Sequence, residues 1–263
     1  MAKSGTVRKK VYIARSGCDV LKGKLENRGF EVLEKEGAYD EKLLLVCDAL
    51  VPGKIPVTRE VLDLAPNLKV ISKFGVGVDR IDIPACSAQG IYVCNTPRSN
   101  YVSVAEQAIT LLLMAAKKIY PVTRKLREEA DWNGARRYQG TELYGKTLSV
   151  IGLGNIGKRV AALAYAFGMN IVGYDPYTDG KTLPDYITLK NTLEETLTEG
   201  DFVTLHVAGT ESTRGMIGKE QLACMKSDAI IVNTTRGFVI DEQALIEALE
   251  KKSIAGAALD VFA

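Results

Sequence analysis

Short apolar runs rich in β-branched residues recur along this chain and alternate with longer stretches that carry charged residues on one face. In the first part of the chain these runs are Val11–Ala14, Ala49–Val51, Val70–Ile71 and Ile91–Val93. A second series consists of Leu148–Ile151, Ile171–Tyr174, Phe202–His206, Ile230–Val232 and Ala257–Leu259. Helices are predicted between them, among others from Ile156 to a glycine cap at Gly168 and from Asp241 to about Lys251. This alternation is typical of βαβ units and predicts an α/β fold with doubly wound parallel sheets.

The character of the chain changes from about Ser99, and a longer apolar stretch follows. Ser103 and Glu106 have the spacing of a helix capping box, and the residues after them are apolar on nearly every face. This pattern predicts a helix that is buried on all sides and joins two domains. We therefore expect two Rossmann-like domains, residues 1–97 and 98–263, with a cleft between them.

Composition and charge exclude several classes of protein. The 263 residues include 34 Lys and Arg and 32 Asp and Glu, a net charge of +2, so no nucleic acid is expected as a partner. The longest apolar runs, such as Leu111–Ala116, are far shorter than the roughly 20 residues of a membrane span. The basic segment Met1–Lys10 is not followed by an apolar segment, so we expect a cytoplasmic protein without a secretory signal. Five scattered cysteines without CxxC spacing predict neither a disulfide framework nor a metal site.

A glycine motif follows the strand predicted at residues 148–151 and precedes a predicted helix. Gly152, Gly154 and Gly157 have the GxGxxG spacing of a dinucleotide-binding turn. The first glycine permits the tight turn, the second lets the backbone approach a diphosphate, and the third lets the helix pack against its strand. The amides of Asn155 and Ile156, at the start of the helix, are expected to bind the diphosphate.

Asp175 closes the next strand, 18 residues after Gly157, near the separation expected for the acidic residue that binds the adenosine ribose. Its carboxylate accepts hydrogen bonds from ribose hydroxyls and repels the additional phosphate of NADP. The neighbouring Pro176 and Tyr177 provide no arginine for that phosphate. The sequence therefore predicts NAD as the cofactor, and strand, turn, helix and acidic residue together argue against a glycine-rich turn without a ligand.

Several further motifs occur in a characteristic order from about Val46 to the end of the chain. They are Phe74-Gly-Val-Gly-Val-Asp79, Asn95-Thr-Pro97, Val104-Ala-Glu106, Leu143-Tyr-Gly-Lys-Thr147, Asn233-Thr-Thr-Arg-Gly237 and Gly256-Ala-Ala-Leu-Asp-Val-Phe262. In this arrangement the chain resembles the D-isomer-specific 2-hydroxyacid dehydrogenases, most closely the phosphoglycerate dehydrogenase-like members. The resemblance implies an NAD-dependent oxidoreductase that transfers a hydride between nicotinamide and C2 of a D-2-hydroxy acid or 2-keto acid. It also implies a flavodoxin-like first domain that binds the substrate.

The resemblance assigns roles to individual residues. Arg236 is expected to bind the substrate carboxylate and carbonyl oxygen and to count among the residues beside the cofactor, because its planar guanidinium suits a carboxylate and polarises a carbonyl. The other positions implied beside the nicotinamide are Thr234, Thr235 and Asp260. The substrate carboxylate is expected to meet the backbone amides of a turn formed by Gly75, Val76 and Gly77.

His206, the only histidine, lies in a Leu-His-Val segment that resembles the cofactor side of the family rather than its catalytic histidine. The family uses a Glu–His pair in which the histidine takes the hydroxyl proton and the glutamate orients it. Neither residue is found at a matching position, and the glutamate is expected just past Ala263. We therefore expect a C-terminally truncated chain with negligible turnover, in which both domains are incomplete and the first lacks its returning C-terminal segment.

The substrate and the biological role stay open at the level of sequence. Residues 52–56 lack the Arg-Ser turn that phosphoglycerate dehydrogenases commonly show, so phosphate recognition is undecided. The candidate cations for it are Lys54, Lys73, Arg80 and Arg98. An NAD-responsive scaffold similar to corepressors of this family and a dinucleotide-binding protein without catalysis are the alternatives to an enzyme. The resemblance further implies a homodimer formed through the cofactor domain.

Overall fold

The computed structural model describes residues 8–263, and its contacts divide the chain into a first unit ending at Ser99 and a second beginning at Asn100. The sequence places this boundary after Pro97. Most of the basic segment Met1–Lys10 lies outside the described residues. The roles assigned to the two domains remain predictions.

The first unit is a five-stranded parallel sheet with helices between the strands. The strands are β1 (Lys10–Ile13), β2 (Glu31–Glu34), β3 (Ala49–Val51), β4 (Val70–Ser72) and β5 (Tyr92–Cys94). The helices are α1 (Asp19–Glu26), α2 (Glu41–Val46), α3 (Arg59–Asp63) and α4 (Ile83–Ala88). The strand order β2-β1-β3-β4-β5 is that of a flavodoxin-like sheet, in which the winding direction reverses between β1 and β3.

The second unit begins with three helices and continues as a six-stranded parallel sheet. The helices are α5 (Tyr101–Ala116), α6 (Ile119–Arg127), α7 (Trp132–Ala135), α8 (Asn155–Ala166), α9 (Leu193–Glu199), α10 (Lys219–Cys224) and α11 (Glu242–Glu250). The strands are β6 (Thr147–Ile151), β7 (Asn170–Tyr174), β8 (Ile187–Leu189), β9 (Phe202–Leu205), β10 (Ile230–Asn233) and β11 (Gly256–Leu259). Short 3₁₀ turns lie at Gly180–Thr182, Glu211–Thr213 and Gly237–Val239. The order β11-β10-β9-β6-β7-β8 is the Rossmann arrangement.

Apolar side chains cover both faces of each sheet. In the second unit, Val150 packs into the cluster formed with α5 and α8, whereas its neighbour Ile151 packs into the cluster formed with α9, α10 and α11. In the first unit, Tyr12 and Val11 likewise belong to separate clusters. Burial on two faces explains why the strands read as continuous apolar runs. The predicted α/β fold with two doubly wound parallel sheets is confirmed.

Two strands were not predicted from the sequence, and both lie at sheet edges. β2 carries Glu31 and Glu34 at its ends and is not fully buried at any position, and β8 has only three residues. An edge strand has one pairing partner and needs little apolar surface, so its hydrophobic signal is weak. The strands that the pattern did predict include every strand in the interior of the two sheets.

The helix after Ser99 differs from its prediction in two respects. α5 begins one turn earlier than the capping-box spacing indicates, with Asn100 at the N-cap, so Ser103 and Glu106 are exposed residues inside the helix. The predicted capping box is therefore wrong. Within the second unit the helix buries one face, while Val102 and Met114 are exposed. When a helix is apolar on every side, its sequence does not show which side packs against the rest of its own unit.

The predicted ends of two other helices are confirmed. Gly168 follows α8 with φ +75°, the left-handed conformation of a glycine that terminates a helix. Asp241 precedes α11, and its side chain accepts a hydrogen bond from the amide of Ala244 at 3.1 Å. This contact satisfies one of the free amides of the first turn.

Candidate functional site

The carboxyl ends of β6 and β9 form the point of the second sheet where the strand order reverses. β6 pairs with both β7 and β9, so the connections that leave these two strands run to opposite sides of the sheet. Ligands of open α/β sheets bind in the crevice created there. The glycine motif follows β6 and His206 follows β9, so both lie at this crevice.

The three glycines of the motif have three different surroundings. A Cβ on Gly152, which has φ +94°, would lie 2.7 Å from the carbonyl carbon of His206, and a Cβ on Gly157 would overlap the carbonyl oxygen of Gly152. These two glycines are required by the packing of the turn itself. A Cβ on Gly154 would meet no heavy atom of the described residues within 4 Å. The space beside Gly154 is therefore open for a ligand that approaches the backbone, as the motif predicts.

Helix α8 directs its first amides toward the same space. Gly154 is its N-cap, and its carbonyl accepts the first helical hydrogen bond from Lys158 at 3.0 Å. The amides of Asn155 and Ile156 precede that bond and have no carbonyl one turn earlier in the helix. They carry the positive end of the helix dipole, so this turn fits the diphosphate of a dinucleotide.

Asp175 connects the glycine motif to the end of β7. Its Oδ2 accepts a hydrogen bond from the amide of Leu153 at 2.8 Å, and its Oδ1 accepts one from the amide of Tyr177 at 2.9 Å. A carboxylate has about four acceptor positions, so both oxygens retain capacity for ribose hydroxyls. Asp175 thus holds the motif in place and presents negative charge beside it, which fits NAD.

A turn built around Asn233 positions Arg236 at the carboxyl end of β10. Asn233 is buried, and its Oδ1 accepts hydrogen bonds from the amide of Thr235 at 2.9 Å and from its hydroxyl at 2.7 Å. Its Nδ2 donates to the carbonyl of Arg236 at 2.9 Å. One buried amide side chain therefore determines the path of residues 233–236.

The side chain of Arg236 is supported by two neighbours. Its Nη1 donates to the carbonyl of Thr235 at 2.7 Å, and a Cβ on Gly209 would lie 2.7 Å from its Cγ. The aliphatic part of Arg236 thus lies against a residue that has no side chain. Asn233 and Gly209 are positioning residues that the sequence analysis missed. Asn233 lies within a motif that it quoted, whereas nothing in the local sequence marks Gly209.

Thr234 and Asp260 flank the same turn. The hydroxyl of Thr234 is buried and has no hydrogen-bond partner among the described residues. Since buried hydroxyls are nearly always hydrogen-bonded, an acceptor or donor from a bound molecule is expected there. The amide of Asp260 donates to the carbonyl of Asn233 at 3.0 Å, and its Oδ1 accepts from Gln107 at 2.9 Å. The structure thus brings Thr234, Thr235, Arg236 and Asp260 together.

His206 is buried behind the glycine turn rather than presented to a substrate. Its Nε2 lies 2.9 Å from the hydroxyl of Thr204, and burial lowers the pKa of its imidazole to about 3. Desolvation disfavours the charged ring, so His206 is neutral at neutral pH. This environment agrees with the interpretation that His206 does not exchange protons with a substrate.

The turn predicted to bind a carboxylate in the first unit follows β4. The amide of Gly75 donates to the carbonyl of Lys73 and to the hydroxyl of Thr96, each at 3.0 Å, so it is engaged within the turn. The side chain of Asn95 donates to the carbonyl of Val76 at 2.8 Å. Of the three predicted amides, those of Val76 and Gly77 have no acceptor in the described part of the chain.

Two further observations concern the described residues as a whole. Among residues 8–263, no three His, Cys, Asp or Glu side chains are grouped so that they could hold a metal ion. No helix in this range has both the length and the apolar character needed to cross a membrane.

Comparison with known proteins places this geometry in a family. Residues 109–263 match the family model described as the NAD-binding domain of D-isomer-specific 2-hydroxyacid dehydrogenases. The chain belongs to this family. The match covers the glycine motif, Asp175 and the Arg236 turn, and NAD is the cofactor of the matched domain. The predicted cofactor, NAD, is thus confirmed, whereas the residues predicted to bind it stay a prediction.

Two relatives illustrate the range of names in the family. The chain is 50% identical over 237 residues to D-3-phosphoglycerate dehydrogenase of Methanocaldococcus jannaschii, covering 88% of this chain and 45% of that protein. It is 43% identical over 234 residues to hydroxypyruvate reductase of Thermotoga maritima, covering 88% of this chain and 74% of that protein. The chain thus spans less than half the length of the phosphoglycerate dehydrogenase.

Solved structures share the fold over nearly the whole chain. A glyoxylate reductase from Paecilomyes thermophila superposes with a TM-score of 0.89 at 30% identity, over 98% of this chain and 82% of that one. A D-lactate dehydrogenase from Aquifex aeolicus, complexed with NAD and lactic acid, superposes with a TM-score of 0.86 at 30% identity, over 97% and 77% of the two chains. Both comparisons include both units of the chain.

Proposed function

We propose that this chain is part of an NAD-dependent dehydrogenase that transfers a hydride between nicotinamide and C2 of a D-2-hydroxy acid or 2-keto acid. The observation that carries the proposal is the turn in which the buried Asn233 positions Arg236 at the carboxyl end of β10. The relatives named for phosphoglycerate, hydroxypyruvate and lactate support this substrate class. Binding of several 2-hydroxy acids, 3-phosphoglycerate among them, distinguishes between these substrates.

Arg236 is the proposed catalytic residue. Its guanidinium binds the substrate carboxylate through charge-assisted hydrogen bonds and withdraws electrons from the carbonyl when the keto acid is reduced. NAD, when bound, accepts the hydride from C2 in the direction of oxidation. Thr234, Thr235 and Asp260 contact the cofactor in this proposal, and the amides of Val76 and Gly77 bind the substrate carboxylate.

The hydroxyl proton needs an acceptor in the same step. A guanidinium has only hydrogen-bond donors, so Arg236 cannot take this proton, and His206 is buried behind the glycine turn. General acid–base catalysis contributes about 10²–10⁴ in rate. We therefore propose that the 263-residue polypeptide binds NADH and a substrate acid but turns over negligibly.

The assignment is tested on the purified 263-residue chain by NADH fluorescence and calorimetric titration with D-glycerate, D-lactate and 3-phospho-D-glycerate. At least one acid should bind the chain loaded with NAD, the oxidised cofactor that pairs with a 2-hydroxy acid, and Arg236→Gln should weaken its affinity about tenfold or more, because a charge-assisted contact is worth about 1.5–3 kcal/mol. NADH affinity should change little. Arg127→Gln, on exposed α6, is the matched control.

Two results would contradict the proposal. If no acid binds the NAD-loaded chain, the dehydrogenase assignment fails, and an NAD-responsive scaffold becomes the better explanation. If the chain forms NADH rapidly from NAD and a 2-hydroxy acid, the proposed lack of turnover is wrong while the substrate class stands. Absorbance at the NADH band measures that rate directly.

Asp175 supplies a test of cofactor choice. We predict that Asp175→Asn weakens NADH binding about tenfold and brings the affinities for NADH and NADPH closer together, because the variant loses the charge that repels the 2′-phosphate. Fluorescence titration with both cofactors measures this. Asp185→Asn, at an exposed position, is the control. An unchanged preference for NADH in the Asp175 variant would contradict the role of its charge.

We also propose that the chain forms a homodimer through the second unit. Support comes from exposed large apolar side chains on the helices that precede its sheet. They include Val102, Met114, Ile119, Tyr120, Leu126 and Trp132. Clustered exposed apolar residues are typical of protein interfaces.

A further inference from the structure

The first sheet has its own reversal point, and an arginine lies there. The strand order reverses between β1 and β3, and Arg15 follows β1 by two residues. The backbones that leave β1 and β3 are so close that a Cβ on Gly53 would overlap the carbonyl oxygen of Ala14. Ligands of such sheets bind outside the carboxyl ends of the strands at this reversal. Arg15 is therefore at the position where a ligand of the first unit is expected.

The guanidinium of Arg15 is held against the turn that follows β4. It lies 4.5 Å from the centre of the Phe74 ring, and its Nη1 donates to the carbonyl of Phe74 at 3.4 Å. Stacking on an aromatic ring restricts the guanidinium but leaves its N–H groups, which point outward in its plane, available for hydrogen bonds. The same peptide leads into Gly75, Val76 and Gly77. The cation is thus positioned beside the amides proposed to bind the substrate carboxylate.

Arg15 lacks a partner for its charge among the described residues. No carboxylate in residues 8–263 lies within ion-pair distance of its guanidinium, although the side chain is only partly exposed. Its Nε is buried and has no hydrogen-bond acceptor within residues 8–263. Buried donors and partly buried charges are normally paired, so this guanidinium has capacity for an anion from outside the chain.

A second cation lies at the carboxyl ends of the strands of the first sheet. The ammonium group of Lys73 donates to the carbonyl of Gly53 at 3.2 Å, and the side-chain Cε passes beside Gly75. Lys73 thus adds positive charge between the ends of β3 and β4. The guanidinium of Arg15 therefore lies near the amides of Val76 and Gly77, for which the described residues provide no acceptor.

We propose that Arg15 binds a second anionic group of the substrate, a phosphate ester or a distal carboxylate, while the amides of Val76 and Gly77 bind the carboxylate beside C2. This inference rests on the proposed function and names its substrate class: a D-2-hydroxy acid that carries two anions. The cations that the sequence offers for this role are Lys54, Lys73, Arg80 and Arg98, and Arg15 is not marked by any motif.

Calorimetric titration of the NAD-loaded 263-residue chain tests the proposal with D-glycerate, 3-phospho-D-glycerate and D-2-hydroxyglutarate at one fixed salt concentration. The chain should bind at least one of the two dianionic acids about tenfold or more tightly than D-glycerate. Arg15→Gln should abolish this preference while changing D-glycerate affinity less than about twofold. Which dianionic acid is preferred identifies the group as phosphate or carboxylate.

Two further variants control for charge and folding. Arg28→Gln removes the same charge at an exposed position before the amino end of β2, away from the carboxyl ends of the strands. This variant should keep the preference. Arg15→Lys keeps the charge but lacks the planar guanidinium with its paired donors, so it should keep part of the preference. Arg15→Lys also provides the comparison if Arg15→Gln does not fold. In that case an Arg15→Lys variant with the full preference overturns the proposal.

Other outcomes separate this inference from the proposed function. If the three acids bind with equal affinity, or if Arg15→Gln keeps the preference, Arg15 has no part in substrate recognition and the dehydrogenase assignment stands. If none of the acids binds although NADH does, the dehydrogenase assignment fails and the Arg15 proposal fails with it.

Discussion

At the scale of single residues, the cofactor site separates glycines needed for folding from a glycine needed for binding. Gly157 contacts the backbone of Gly152, whereas the space beside Gly154 is open. The motif makes these positions look equivalent in the sequence. Their different surroundings predict opposite consequences of the same substitution.

We predict that Gly154→Ala lowers the free energy of unfolding by less than about 1 kcal/mol but weakens NADH binding about tenfold or more, because its methyl group occupies the approach to the backbone. Gly157→Ala should instead lower the free energy of unfolding by about 1–3 kcal/mol, because its methyl group overlaps a carbonyl. Urea unfolding and NADH fluorescence measure both. Equal effects of the two variants on stability would contradict this distinction.

His206 gives the protein a pH-dependent stability. Burial lowers its pKa to about 3, whereas an unfolded histidine titrates near 6.5. Below pH 6.5 the unfolded chain therefore takes up a proton that the folded chain does not, so the contribution present above pH 6.5 is lost progressively as the pH falls toward 3.

We predict that the free energy of unfolding falls by about 2 kcal/mol between pH 7 and pH 5 because of this single group. His206→Gln should remove most of that decrease, whatever its effect on stability at pH 7. Urea unfolding at the two pH values measures the difference. The chain has one histidine, so His206→Gln removes all histidine titration and no second histidine variant is needed. The same decrease in both proteins would show that other groups cause it.

At the scale of elements, α8 joins the cofactor site to the core. Its buried residues Gly157, Val160, Ala161 and Ala164 follow helical spacing and pack against the sheet. Its N-terminus faces the open space beside Gly154, and Gly168 ends it in a left-handed conformation. The position of the first turn therefore depends on a helix that is constrained at both ends.

We predict that Gly168→Ala destabilises the protein more than Gly29→Ala, although both glycines follow a helix with positive φ, +75° and +85°. Each substitution introduces backbone strain of about 1–2 kcal/mol. A Cβ on Gly168 also overlaps the ring of Tyr144, while Gly29 has open space. Urea unfolding of the two variants measures the difference. Equal losses would mean that Tyr144 moves aside without cost.

At the scale of the whole molecule, the exposed apolar residues are unevenly distributed. Several lie on α5, α6 and α7, including Met114, Tyr120 and Trp132, and these helices precede the second sheet. The proposed dimer would remove them from water, with about 25 cal/mol gained per Å² of apolar surface buried.

We predict that light scattering at micromolar concentration gives the mass of a dimer, and that Tyr120→Asp shifts it toward the monomer by placing a charge among apolar side chains. Val20→Asp, at a similarly exposed apolar position on α1, should leave the mass unchanged. A monomer before any substitution would contradict the proposed dimer, and equal effects of both variants would place the interface elsewhere.

The sequence by itself determined the parallel α/β architecture, the interior strands and the dinucleotide turn. These features depend on apolar runs and short spacings within one segment, as in Gly152–Gly157 followed by Asp175. In the edge strand β2 the two apolar residues lie between Glu31 and Glu34, and in β8 Thr188 separates the two apolar residues, so neither strand forms a distinct apolar run. The start of α5 depends on backbone conformation rather than on the spacing of Ser103 and Glu106.

Only the tertiary structure decided which distant residues support one another. Gly209 lies under Arg236, His206 lies behind Gly152, and Arg15 stacks on Phe74, although 27 to 59 residues separate the members of each pair. Such contacts arise because the carboxyl ends of parallel strands meet at one sheet edge. The local sequence does not predict these contacts, because the two residues of each pair lie in different segments and neither segment's pattern depends on the other.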